Sequence, residues 1–278
     1  MATDEAKAAY RSTLEVLYSN IIFSPKAAEE LASITLASNV PRETQLRTFW
    51  EFFLDTVLQH PEHHDHLVDV LIDLSELPDA VTNTPQETNQ PEPLRVHGQQ
   101  VWKDLPMLSS SVAEWWDLYA SVLPPDCTPS EKEGAISREL NKNRFFALLV
   151  TIDEPVFLKY AVYAIHTLRE ALEFHLMYRR PGELLEAWIP AAAVWIEVLG
   201  VQMYEWEGVY ETREANGGRA RGGSLWREGE PGFSKERWRF WRERFAQAKG
   251  MKGEPIETRR IAEEAEIMMM EIEAGHVE

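Results

Sequence analysis

Cysteine is almost missing from this chain of 278 residues: Cys127 stands alone. A single thiol excludes an intramolecular disulfide and any multi-cysteine zinc site. Basic residues are scarce as well, with 28 Lys and Arg against 46 Asp and Glu and a net charge of −18. So acidic a chain repels phosphate backbones, which argues against nucleic acid as a partner. Long apolar runs are lacking too. The longest, 187–201, is broken by Pro190 and Glu197 and falls short of the about 20 apolar residues a membrane helix needs. The first residues, Met1-Ala2-Thr3-Asp4-Glu5-Ala6-Lys7, show no signal-peptide pattern. The expectation is a soluble protein of a reducing compartment, without membrane contact, in the cytoplasm with the nucleus left open.

Strand-like alternation is nearly absent, and helical periodicity fills the space. The chain is rich in large anchors, with ten Trp, eleven Phe and eight Tyr, and 44% of it is hydrophobic. Over 3–19, Tyr10, Leu14, Leu17 and Tyr18 share a helix face. Ser24 and Pro25 read as N-cap and first residue of a second helix carrying Leu31, Ile34 and Leu36. Spans 42–59 and 62–76 complete an N-terminal helical subdomain, 1–77. Residues 78–101 read as a flexible linker or loop, because Pro78, Pro85, Pro91 and Pro93 among Thr and Asn leave little to bury. The remainder, 102–278, reads as a helical core with helices ending near 123 and spanning 131–152, 156–178, 183–209, 234–248 and 256–274. The fold expected is all-α: one irregular multi-helix bundle of about ten helices. A hairpin of the two most apolar stretches, 155–178 and 183–209, sits at its centre.

Few residue patterns point to chemistry. His60, His63, His64 and His66 cluster at a helix start, where a solvated face is expected and no metal site is called for. Asp69 and Asp73 lie a turn apart but lack the further carboxylates that a magnesium-dependent terpene cyclisation needs. Cys127 sits in the loop Pro124-Pro125-Asp126-Cys127-Thr128-Pro129 with no histidine beside it. No phosphate-binding glycine loop or nucleophile elbow is present, and the glycines of 217–223 read as a loop. One arrangement could bind or transform a ligand: His166 and Glu170, at i and i+4, facing Glu197 of the next apolar helix. Asn141, Asn143 and Arg144, just before Phe145 and Phe146, could add polar groups to such a pocket. None of these patterns implies a cofactor.

The spacing is tightest near the end. Gly229-Glu230-Pro231-Gly232 is a turn. Ser234 follows as an N-cap, and Trp238, Trp241 and Phe245 then fall at i, i+3 and i+7. Trp226 and Phe233 can fold back on that helix, which would clamp it to the core. Arg237, Arg239, Arg242 and Arg244 surround the face. The segment 211–252 holds eleven Lys and Arg against six Asp and Glu, so these arginines are the expected surface for an anionic partner.

The run from Leu225 to Ser234, continued by Arg237, Trp238, Phe240, Trp241, Arg244 and Phe245, resembles a fungal family of uncharacterised proteins, domain of unknown function 3632. Residues 140–147, Leu-Asn-Lys-Asn-Arg-Phe-Phe-Ala, are similar to a second motif of that family, with Lys142 and Arg144 replacing smaller or apolar residues. The resemblance spans roughly 30–250. It implies an intracellular all-helical protein and carries no catalytic residues. The function expected is protein interaction or scaffolding without catalysis. The alternative is a small-molecule binder or enzyme with its pocket between the two apolar helices. Partner identity and oligomeric state are left open.

Overall fold

The computed structural model describes residues 3–37, 40–81, 92–118, 127–175, 184–207, 218–227, 229 and 231–275. The middle of the expected linker, the expected helical residues at 119–123, 176–178 and 208–209, and Glu228 and Glu230 of the turn motif lie outside these. The chain divides into two compact units, Met1–Leu118 and Tyr119–Glu278. Ten helices of eleven or more residues are present among the described residues, with one very small sheet.

Unit 1 is built on α1 (Thr3–Tyr18), α2 (Ser24–Leu36), α3 (Arg42–Gln59) and α4 (His64–Glu76). Tyr10, Leu14 and Leu17 of α1 are buried as the periodicity predicts. The buried face of α2, which packs on α1, α3 and α4, is made mostly of small residues, Ala27, Ala28, Ala32 and Thr35, with Leu31. Ile34 and Leu36 stay half-exposed. Ser24 enters the helix itself, and Phe23 occupies the cap position without a side-chain bond. Helix α3 is buried on nearly every side. Its Phe49 lies 5.3 Å from Tyr10, 4.7 Å from Trp50 and 5.9 Å from Trp102, so one aromatic cluster joins α1, α3 and the segment after the linker. The Trp50 indole N–H donates to the Pro106 carbonyl at 2.8 Å.

Part of the stretch expected as a linker has regular structure. β1 (Arg95–Val96) and β2 (Gln99–Gln100) pair antiparallel around His97 and Gly98. Both turn residues have positive φ, 51° and 80°, which gives the type I′ geometry that matches strand twist. Val96 and Val101 are buried. The chain then bends tightly, with Trp102, Leu105 and Met107 all at positive φ, before α5 (Leu108–Leu118). Burial of Trp102 against Phe49 offsets the steric cost of that conformation.

Unit 2 contains α6 (Pro129–Val150), α7 (Pro155–Leu158), α8 (Val162–Leu172), α9 (Leu185–Glu205), α10 (Lys235–Lys249) and α11 (Ile256–Gly275). Thr128 and Glu131 form a reciprocal capping box at the start of α6: Thr128 Oγ1 accepts from the Glu131 N–H at 3.2 Å, and Glu131 accepts from the Thr128 N–H at 2.7 Å. The Thr128 N–H, with the Thr128 hydroxyl donating to the same carboxylate at 2.8 Å, holds Glu131 below the ordinary glutamate range. The long apolar helix expected over 156–178 is broken into α7, a 3₁₀ turn (Lys159–Ala161) and α8. Helix α9 is the centre of the unit. Long and apolar enough by length and composition to cross a membrane, it has 67% of its most apolar stretch buried here among α6, α8 and α11. The central hairpin therefore exists as α8 and α9, while α6 and α11 cover α9 more extensively than α8 does.

Candidate functional site

The six residues expected around one pocket occupy separate places. On α8, the Arg169 guanidinium stands between His166 and Glu170: Nη2 donates to His166 Nδ1 at 2.9 Å and lies 2.7 Å from Glu170 Oε1. The His166 ring faces Trp188 of α9, with centroids 6.3 Å apart. Glu197 is nine residues beyond Trp188, half a turn around the helix at 100° per residue. It is exposed on the far side of α9, so the triad of His166, Glu170 and Glu197 does not converge. Asn141 is half-exposed and Arg144 is exposed.

Asn143 is fully buried at the junction of α6, α8 and α9. Its Oδ1 accepts from Thr167 Oγ1 at 2.6 Å and from the Trp195 indole at 2.7 Å, and its amide donates to Glu139. Beside it Glu139 and Lys142, both buried, form an ion pair at 2.9 Å. Of the residues that resemble a family motif, Lys142 and Asn143 thus belong to an internal polar junction. The sequence reading missed its charged pair, which was visible as Glu139-x-x-Lys142, two neighbours on one helix face.

The four arginines of α10 also separate. Ser234 caps the helix by accepting from the Arg237 N–H at 3.1 Å. Trp238, Trp241 and Phe245 are buried, as the clamp reading requires. Arg237 and Arg244 lie on the same stripe as Trp241 and are buried with it, so they form no surface for an anion. Arg237 meets the buried Glu173 carboxylate at 2.7 Å and donates to the carbonyls of Ala220, Gly232 and Arg221. Glu173 also accepts from the Trp241 indole and the Gly223 N–H, each at 2.7 Å. Any Cβ at Gly223 would come within 2.6 Å of the Glu173 carbonyl oxygen, so only glycine allows this approach. Arg244 donates to the Leu172 and Phe174 carbonyls at the end of α8, and burial lowers its pKa from the ordinary value. Arg242 pairs with Glu273, which leaves Arg239 as the exposed member. In the turn, Trp226 packs on Phe240 at 5.2 Å and covers Gly229, where a Cβ would meet its ring.

A concave site does exist in unit 2, in another place. A groove of about 610 Å³ runs along the outer face of α9. Its floor is Pro190, Ala193 and Val194, at i, i+3 and i+4, with Glu197 at i+7 on its edge. One wall is Leu140 and Arg144 of α6. The other is a full stripe of α11: Ile261, Ala265 and Met268, edged by Arg260, Glu264, Ile267 and Glu271. The groove forms because short Pro190 and Ala193 lie between two longer-chained walls. Arg260 is held by Glu257, with bonds of 3.0 and 2.6 Å, and by Glu264, which raises its pKa further. Arg144, Glu197 and Glu271 have no hydrogen-bond or ion-pair partner among the described residues. Two residues singled out in the sequence, Arg144 and Glu197, thus line one groove, without His166 and Glu170.

The four histidines at the start of α4 are divided too. His64 is buried, with Nε2 2.9 Å from the Val57 carbonyl oxygen. His63 stacks on Tyr18 at 3.8 Å, and Glu62 lies 3.3 Å from His60. No three His, Cys, Asp or Glu side chains converge as a metal set among the described residues. Cys127 is half-exposed.

Unit 1 is helical, and in unit 2 helices pack around the buried α9 with an internal arginine clamp and an apolar groove, so the chain is an all-α protein. The family model described as "Protein of unknown function (DUF3632)" matches residues 50–245, and the chain belongs to this family. A search of curated proteins finds no match. The matched region begins within α3 and ends within α10, so α11, one wall of the groove, lies beyond it.

Proposed function

We propose that this protein acts by docking a partner, without catalysis, and that the groove over α9 receives it. The observation that carries this reading is the groove itself: an open channel with an apolar floor and walls, edged by charges, three of which have no partner among the described residues. Apolar surface ringed by polar groups characterises interaction sites. The groups first expected to do acid–base work support it from the other side, because His166 and Glu170 are engaged by Arg169.

The volume also falls within the range of small-molecule sites, roughly 300–1,000 Å³, so a ligand is the second reading. Ala193→Trp places a bulky ring on the floor and separates the two. Peptide display on the intact protein, counter-selected with that variant, is expected to return sequences that bind only the open groove. If display returns none, and a metabolite-library thermal shift gives a compound whose stabilisation Ala193→Trp abolishes, the docking reading is replaced by the ligand one.

A further inference from the structure

We infer that the groove's partner is a basic amphipathic helix of about three turns. This rests on the docking reading above and adds the partner's shape and charge. The α11 wall runs from Arg260 to Glu271. At a rise of 1.5 Å per residue, that stripe is about 16 Å long, or three helical turns. Helices α6 and α11 flank α9, and the groove lies along α9 between them. A guest helix laid there becomes one more member of the packing, with its side-chain ridge set over Pro190 and Ala193. An extended strand would gain no backbone pairing, because all three elements that line the groove are helices.

The charge of the guest follows from the pairing already made. Arg260 and Glu264 neutralise each other, and Glu257 adds a second carboxylate to the same guanidinium. Among the described residues this leaves Glu197 and Glu271 as carboxylates without a partner, against Arg144 alone. The edge is therefore net acidic, within a chain of net charge −18. A helix with an apolar stripe flanked by Lys or Arg meets Glu197 and Glu271, and one acidic residue on its other flank meets Arg144. The field of the acidic chain speeds that encounter. Met268 in the wall, unbranched and adaptable, can adjust to the guest's side chains.

The test uses the full chain and three fluorescein-labelled peptides of 14 residues. The first has Leu at i, i+3, i+4, i+7 and i+11, with Lys elsewhere and one Glu. The second replaces each Lys with Glu, and the third scrambles the first. Fluorescence anisotropy is expected to show the Lys helix binding at least ten times tighter than the other two. Ala193→Trp should weaken it at least tenfold. Glu197→Lys and Glu271→Lys should each weaken it several-fold while leaving Tm unchanged. A Glu helix that binds tighter, in a manner Ala193→Trp blocks, overturns the charge inference and leaves docking standing. A scrambled peptide that binds as well as the Lys helix shows attraction without a site and also overturns the inference. Binding of every peptide untouched by Ala193→Trp overturns the docking reading itself. A dimer seen by light scattering and dissolved by Ala193→Trp makes a second copy the occupant and overturns the basic-helix assignment.

Discussion

Glu173 is a single side chain on which three distant stretches of unit 2 meet. Its carboxylate receives Arg237 and Trp241 from α10 and the backbone N–H of Gly223, and its carbonyl accepts from Leu225. Both Glu173 and Arg237 are fully buried, so each charge depends on the other. Arg237→Met leaves a carboxylate uncompensated in the interior and is expected to cost about 3–5 kcal/mol in urea unfolding. Glu173→Leu combined with Arg237→Met should cost less than Arg237→Met alone, since a buried pair removed together leaves no orphan charge. Tyr18 gives a pH-dependent prediction. Burial, with a smaller contribution from Glu62, raises its pKa above the ordinary 10.0. The folded state thus holds the phenol proton more tightly than the unfolded chain, and the stability this contributes is fully present below the ordinary value and is lost as pH climbs from there through the raised folded value. The Tyr18 hydroxyl has no hydrogen-bond partner among the described residues. Tyr18→Phe should therefore change Tm little near about pH 8 and gain on the native protein by about pH 11. A difference that stays flat with pH would show that the hydroxyl is solvated.

Helix by helix, the sequence was most readable where a local bond sets the boundary. Ser234 could be assigned as the cap of α10 because its hydroxyl acts three residues away. The Thr128–Glu131 box is equally local and starts α6 at Pro129, two residues before the 131 that periodicity predicts. Helix α8 was expected to run to 178, since its apolar pattern continues. It ends at Leu172 because Arg244, about seventy residues later, takes the Leu172 and Phe174 carbonyls, and Leu225 donates to Glu173. No local pattern announces such a stop. Helix α11 carries its own prediction. It buries Ala262, Ala265 and Met269 and is tied to α10 by Arg242–Glu273 and Lys249–Glu266. Losing Met269 alone is worth about 2–5 kcal/mol. A chain ended after Gly253 should melt several degrees lower, at about 2–4 °C per kcal/mol, and lose binding to the Lys helix. An unchanged Tm would mean that α11 adds little to the packing of α9.

For the molecule as a whole, composition and periodicity were sufficient for the class of fold. One cysteine, 46 acidic residues and stripes such as Tyr10, Leu14 and Leu17 specify a helical protein with an aromatic core, because each constraint acts within a few residues or on the chain's sum. The turn at Gly229–Gly232 with its tryptophan helix was sufficient for the family. What only the tertiary structure decided is which polar groups are spent inside and which remain for a partner. Arg237 and Arg244 look like surface charges in sequence and are internal, because the stripe that buries Trp241 carries them with it. Glu197 and Arg144, 53 positions apart, face one groove because α6, α9 and α11 pack side by side. Side-chain periodicity says which residues share a helix face. It does not say which helix that face will meet, since the meeting depends on contacts between residues far apart in the chain.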